Sequence, residues 1–180
     1  MVQRKKENRR GPLIKASEDP ALPVRARGVR GKGVPKGRVV PPVIIGWKEY
    51  VDLPSWNIRH LKAKIDTGAR TSAIHASKII RKKNRLLLVL HPHRKKSEKV
   101  HHITTVSTGD KWVTDSGGHR SRRPVVKTWI VIGKKRKKIE FTVTRRDNML
   151  FRLILGRKAL EGNFIVDPSQ KYMTSKKRGL

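Results

Sequence analysis

Lys62-Ala63-Lys64-Ile65-Asp66-Thr67-Gly68-Ala69-Arg70-Thr71-Ser72-Ala73 is the stretch on which the reading of this chain turns. Leu61, Ala63 and Ile65 alternate with lysines, the period-two pattern of a strand that buries one side. The strand runs into a tight turn carrying one acid, one hydroxyl and one glycine. A carboxylate at a strand end sits on a rigid element, Gly68 lets the backbone turn sharply beneath it, and the Thr67 hydroxyl can lock the loop. Catalysis by paired carboxylates needs this presentation. Asp66, Thr67 and Gly68 are therefore the candidate catalytic residues, with Ala69 placed to touch a substrate.

A second stretch near the other end supports that reading. Phe151-Arg152-Leu153-Ile154-Leu155-Gly156-Arg157-Lys158-Ala159-Leu160 is a hydrophobic-hydrophobic-Gly element running into a short helix. With the Asp-Thr-Gly loop, in this order and separation, it resembles a retropepsin. Five motifs are similar to those of the bacterial retropepsin-like aspartic peptidases: Ile45 to Val51, Lys64 to Ser72, Asp115-Ser116-Gly117-Gly118-His119, Arg146 to Arg152, and Leu155-Gly156-Arg157. Members of that family are often labelled ATP-dependent zinc proteases and are associated with RimK-type glutamate ligases. The resemblance covers roughly residues 43 to 173. It implies an acid-protease barrel, peptide-bond hydrolysis and a polypeptide substrate.

Composition sets the bounds. At 180 residues the chain is one domain with tails, enough for a single modest core. It has no cysteine, which excludes disulfides, thiolate metal sites and a thiol nucleophile. No apolar run approaches the length of a membrane helix and the basic N-terminus lacks a signal-peptide core, so a cytoplasmic protein with no membrane partner is expected. The charge is unusual: 45 Lys+Arg against 13 Asp+Glu, a formal +32. Such a surface attracts polyanions, whether nucleic acid, an anionic membrane face or an acidic polypeptide.

Residues 1 to 42 read as a disordered basic arm, rich in Gly, Pro and Arg, with no sustained period. The arm carries twelve basic and three acidic residues, a net of +9, which leaves +23 of the chain's +32 on the remainder. It is a candidate nucleic-acid contact, although it has no aromatic to stack on bases. Residues 43 to 173 form the protease-like domain and 174 to 180 a basic C-terminal tail.

The body reads as strands: 43 to 47, 61 to 65, 71 to 80, 86 to 90 and 100 to 107, with residues 95 to 99 as a polar turn. Residues 125 to 132 pair with 139 to 144 as a hairpin across a Gly133–Lys138 loop, and only Arg157 to Glu161 looks helical, ended by Gly162. Many short strands with frequent turn signals predict an all-β barrel with one short C-terminal helix. The acid-protease fold that the resemblance implies agrees.

The chain has one Asp-Thr-Gly, and hydrolysis by this route needs two carboxylates sharing a proton. The second is expected from a symmetry mate in a homodimer; an intrachain partner, Asp115 or Asp147, is the alternative. By the same resemblance Thr67 hydrogen-bonds across the interface. A lid that excludes water is also needed, and Asp115 to His119, with Ser116, Gly117 and Gly118, is its candidate tip. Arg120, Arg122 and Arg123 beside it are candidates for holding acidic substrate side chains by bidentate pairing.

The histidines give no metal motif. His91, His93, His101 and His102 cluster in sequence, but His-Glu-x-x-His is absent and no adjacent acid backs them. Gly28-Val29-Arg30-Gly31-Lys32-Gly33 is not a phosphate loop, so neither zinc nor ATP is expected as a cofactor. Two functional readings follow. One is an aspartic endopeptidase acting on acidic or glutamate-extended polypeptides; the other is a basic nucleic-acid- or ribosome-associated binding protein on a protease-like barrel.

Overall fold

The computed structural model describes residues 13–15, 41–92, 100–115, 117–145 and 150–175. Among them are twelve strands and one short α-helix. They are β1 (Leu13–Lys15), β2 (Val43–Gly46), β3 (Lys48–Leu53), β4 (Ile58–Asp66), β5 (Ser72–His75), β6 (Lys78–Lys82), β7 (Arg85–Leu90), β8 (His101–Thr114), β9 (Arg120–Ile132), β10 (Lys135–Thr144), β11 (Leu153–Gly156), α1 (Arg157–Leu160) and β12 (Phe164–Asp167). A single 3-10 turn, Pro54–Trp56, joins β3 to β4 and buries Trp56.

Strands β10, β5, β11, β4, β3 and β9 lie side by side, and β9 pairs back onto β10. Six strands thus close into a barrel, the all-β architecture that the sequence predicts. Closure removes the unpaired edges that an open sheet would expose. The inward residues of alternating strands form one core: Leu61, Ala63 and Ile65 from β4, Val51 and Leu53 from β3, Phe141 and Val143 from β10, Leu153 and Leu155 from β11. Their lysine neighbours Lys62 and Lys64 point out to solvent, so the alternation in the opening stretch is the barrel wall itself.

Beyond the barrel, β8, β7 and β6 extend the sheet from β9 as an antiparallel meander. β8 is long because it does two things. Its first half pairs with β7, and from Ser107 onward it pairs with β9 up to Thr114↔Arg120. The change of partner falls at a register shift between Ser107 and Gly109, where Gly109 takes φ +126°. A two-stranded parallel sheet, β2 with β12, closes the other side.

Several expected bounds differ. The single strand over 71 to 80 is two strands, β5 and β6. Between them buried Ala76 bonds to Thr144 O and Ser77 to Val89 O, so the chain leaves the barrel for the meander at this point. The Gly133–Lys138 loop shrinks to Gly133 and Lys134, because Lys135 already pairs with Ile132. Strand β1 falls inside the arm that was expected to carry no regular structure; it pairs in parallel with His102 to Thr104 of β8. The polar turn at 95–99 lies outside the described residues.

The motif at Ile45 to Val51 has a packing role. Glu49 is fully buried, and its carboxylate accepts hydrogen bonds from the backbone N–H of Gly46, Met173 and Thr174 and from the Thr174 hydroxyl. It clasps the C-terminal segment onto β2 and β3. Gly46 allows the close approach: a Cβ there would lie 2.4 Å from Gln170 O.

Candidate active site

Asp66 is the last residue of β4 and stands in register beside Gly156 of the parallel strand β11. Its Oδ1 accepts from the backbone N–H of Gly68 and of Ala69, both at 3.1 Å. Two amides on one oxygen fix the carboxylate plane and leave Oδ2 facing outward, with Lys64 Nζ 4.0 Å away. The loop is held from beneath by the second stretch. Arg157 donates from one terminal nitrogen to Thr67 O and Gly68 O, both at 2.9 Å. The first turn of α1 takes the next carbonyls, Arg157 N to Ala69 O at 2.8 Å and Lys158 N to Arg70 O at 3.3 Å.

Gly156 is required by space. A Cβ there would sit 2.7 Å from Thr71 C and O and 2.8 Å from Ala69 O, backbone that cannot yield. Its N–H donates to Ser72 Oγ, and Thr142 Oγ1 donates to Ser72 O, so β11, β5 and β10 are tied together below the loop. At the far end of α1 the Lys137 ammonium bonds the carbonyls of Lys158, Ala159 and Glu161. Burial pushes its pKa down from the ordinary lysine value, with the Glu161 charge opposing.

Asp66 lies in an open cleft of about 1000 Å³ between the loop and the β8–β9 hairpin. Gly68, Ala69, Arg70 and Thr71 line one side, and residues 110 to 114 of β8 line the other, with Asp115 and Arg123. The hairpin ends in a turn that the sequence places correctly at Asp115 to His119. Asp115 Oδ1 accepts from Gly117 N and His119 N, at 3.0 and 3.1 Å, and Gly118 takes φ +81°. Asp115 thus orders its own turn. Ser116, and Asp147 with the rest of 146–149, lie outside the described residues.

The three arginines part company. Arg123 is buried against the cleft, its Nε donating to Ser121 Oγ at 2.9 Å. Arg122 pairs with Asp110 at 3.0 Å, and Arg120 lies over the Trp112 ring at 4.9 Å. Sequence reasoning missed Arg70, Lys111, Trp112 and Lys158, which also line the cleft. Trp112, 61% exposed in a polar stretch, was the one visible signal among them. It also gave no role to Arg157, although the Leu-Gly-Arg motif named it. Among the described residues no cluster of three His, Asp or Glu is placed to hold a metal; His93 of the histidine cluster lies outside them.

The loop, its cradle and its hairpin roof coincide with a family description, RimB-like retropepsin-like aspartic endopeptidase, which matches residues 44–177. The chain belongs to this RimB-like family. A Legionella pneumophila protein of unknown function has a crystal structure similar to this one, with 30% identity and a TM-score of 0.60, over 74% of this chain and 98% of that one. A foamy viral protease-reverse transcriptase is a remoter likeness, at 14% identity and a TM-score of 0.38 over 66% of this chain and 12% of that one. Curated relatives include a probable alpha-L-glutamate ligase of Shewanella pealeana, 31% identical over 76% of this chain and 31% of its own length. One of Parasynechococcus marenigrum is 32% identical over 70% of this chain and 28% of its own length. The RimB-like chain therefore spans about a third of the curated relatives it matches.

Proposed function

We propose that this RimB-like chain is an aspartic endopeptidase whose catalytic pair is Asp66 and the Asp66 of a second copy. The observation that carries the reading is the carboxylate itself: Oδ1 is fixed by two backbone amides, on a loop cradled by Gly156 and Arg157, at the floor of a cleft large enough for an extended peptide. Two such carboxylates side by side share one proton, since like charges so close do not both ionise readily. The ionised member draws a proton from a water held between them. The resulting hydroxide attacks the peptide carbonyl, while the protonated member donates to its oxygen; proton return to the amine completes cleavage. Thr67 and Gly68 are exposed in the single chain, which leaves Thr67 accessible for hydrogen bonding across the two-fold axis. In this reading the β8–β9 hairpin, tipped by Asp115, Ser116, Gly117 and Gly118, closes over the substrate and excludes water.

The substrate is an acidic polypeptide. Arg70, Lys111, Arg123 and Lys158 line the cleft, and Arg120 and Arg122 stand on its roof. The kinship with proteins called probable alpha-L-glutamate ligase supports glutamate-extended chains as the natural class. A peptide panel, glutamate-rich against neutral, tests both parts. Asp66→Asn keeps the shape but cannot take the proton, and hydrolysis is expected to fall by at least about 10²–10⁴-fold with the barrel still folded. Wild-type turnover by Asp66→Asn removes the residue from the mechanism; equal cleavage of glutamate-rich and neutral peptides at low salt removes the acidic substrate.

A further inference from the structure

The outer wall of the barrel carries a second surface, on the side formed by β4, β3, β9 and β10, which are neighbours in that order. Its outward residues interleave cations with aromatic rings. Lys48 and Lys64 are cross-strand partners, as are Tyr50 and Lys62. Tyr50 stacks on Tyr172 at 4.5 Å, and Lys48 Nζ lies 5.5 Å over the Tyr172 ring. Farther along, Trp129 faces Lys138 across β9 and β10, with the Arg136 guanidinium 4.4 Å and Lys138 Nζ 5.9 Å over its ring. Apart from Lys64, whose Nζ stands 4.0 Å from Asp66 Oδ2, these residues lie away from the cleft. The acids nearby are engaged: Asp52 accepts from His60 N, and Glu140 pairs with Lys111 and Lys127.

We infer that this wall binds single-stranded nucleic acid, with Trp129 and the Tyr50–Tyr172 stack as base platforms. Cations alone would serve an acidic peptide equally well; the rings decide between them. An exposed cation over a ring is weakly held, whereas a base stacked on an indole is held more firmly. A nucleotide replaces both halves of the contact, its phosphate drawing off the arginine or lysine and its base taking the ring face. The geometry suits a single strand. Asp52 is opposite Val131, so Tyr50 and Trp129 lie two residues to either side of that pair, about 13 Å apart along the strands. The three rings are half-buried on the outer sheet face; ring faces so placed read unpaired bases, while a duplex hides its bases from them.

The test uses the full chain, which is expected to cleave peptide normally throughout because the wall is separate from the cleft. A fluorescent single-stranded RNA of about 12 nucleotides and a duplex of equal length are titrated by anisotropy at fixed salt. Trp129→Ala is expected to weaken single-strand binding at least about fivefold while changing duplex binding little. Trp129→Phe, which keeps a stacking face and the fold, is expected to restore most of the loss. Equal affinity of Trp129→Ala and wild type for the single strand overturns the inference. So does an equal loss on duplex and single strand, or poly-glutamate displacing the RNA as well from Trp129→Ala as from wild type, since each reduces the wall to undirected charge.

Discussion

Arg157 does at the scale of one residue what the Asp-Thr-Gly loop cannot do for itself. Its guanidinium bridges the carbonyls of Thr67 and Gly68, and those two peptides are the ones that carry the amide of Gly68 and lead to that of Ala69, the donors that orient Asp66. It is a positioning residue, acting on the carboxylate through the backbone. Arg157→Ala is expected to lower kcat by on the order of 10²-fold with little change in KM, because a carboxylate misplaced by a fraction of an ångström loses near-attack geometry more than it loses substrate. Arg157→Lys is expected to recover only part, since a flexible, freely rotating ammonium does not hold both bonds in the fixed plane of a guanidinium nitrogen. A rise in KM at constant kcat would place Arg157 in substrate binding instead. The Leu-Gly-Arg motif was legible in the sequence, yet the role of its arginine was not, because nothing in a linear pattern says which backbone an arginine will meet 90 residues away.

At the scale of elements, the β8–β9 hairpin is anchored at its base by two acids. Asp110 pairs with Arg81 and Arg122, and Glu140 with Lys111 and Lys127. Hydrogen bonding from Arg81 holds the Asp110 carboxyl below its ordinary value, and hydrogen bonding from Lys111 does the same for Glu140, burial opposing in both. A carboxyl depressed in the folded state contributes stability above its unfolded value and loses it only as pH falls through the depressed one. Amide protection across 107 to 124 should therefore persist through mild acid and fail only below about pH 4. Glu140→Gln should lower that protection already at neutral pH. Wild-type opening near pH 6, or unchanged protection in Glu140→Gln, would leave the anchor without effect. The tip of this hairpin was legible because paired glycines mark a turn, whereas its arms were read too short: Gly109 and Pro124 look like breakers, but one sits at the register shift and the other pairs with Asp110 within the ladder. Strand β3 was missed for the opposite reason, since Lys48-Glu49-Tyr50-Val51-Asp52-Leu53 buries a glutamate where the period demands an apolar residue. The Leu61–Ile65 part of β4 and the Ile154-Leu155-Gly156 element read correctly because the one buries apolar side chains in alternation and the other stands at a glycine that space requires. The start of β4 at Ile58 was missed because Arg59 and His60 are both exposed and break the alternation.

At the scale of the whole molecule, the proposed pair of Asp66 residues asks two chains of formal charge +32 to associate. Their repulsion is long-ranged at low ionic strength and is confined to about 8 Å at physiological salt, so the dimer fraction seen by sedimentation should rise with salt. The same screening weakens attraction of an acidic substrate, so total activity is an ambiguous readout of assembly. Mixing separates the two. When wild type and Asp66→Asn exchange subunits freely, a mixed dimer holds one carboxylate and one amide and cannot share the proton as the mechanism requires. Activity should then follow the square of the wild-type fraction, with an equal mixture giving about one quarter of the undiluted rate. An intrachain pair, with Asp115 or Asp147 as the second acid, predicts a straight line and about one half, because each wild-type chain would carry its own complete site. The comparison is made at one salt and one total concentration, where substrate attraction and dimer fraction are common to every mixture. A linear dependence there would sink the two-fold site while leaving Asp66 as its acid.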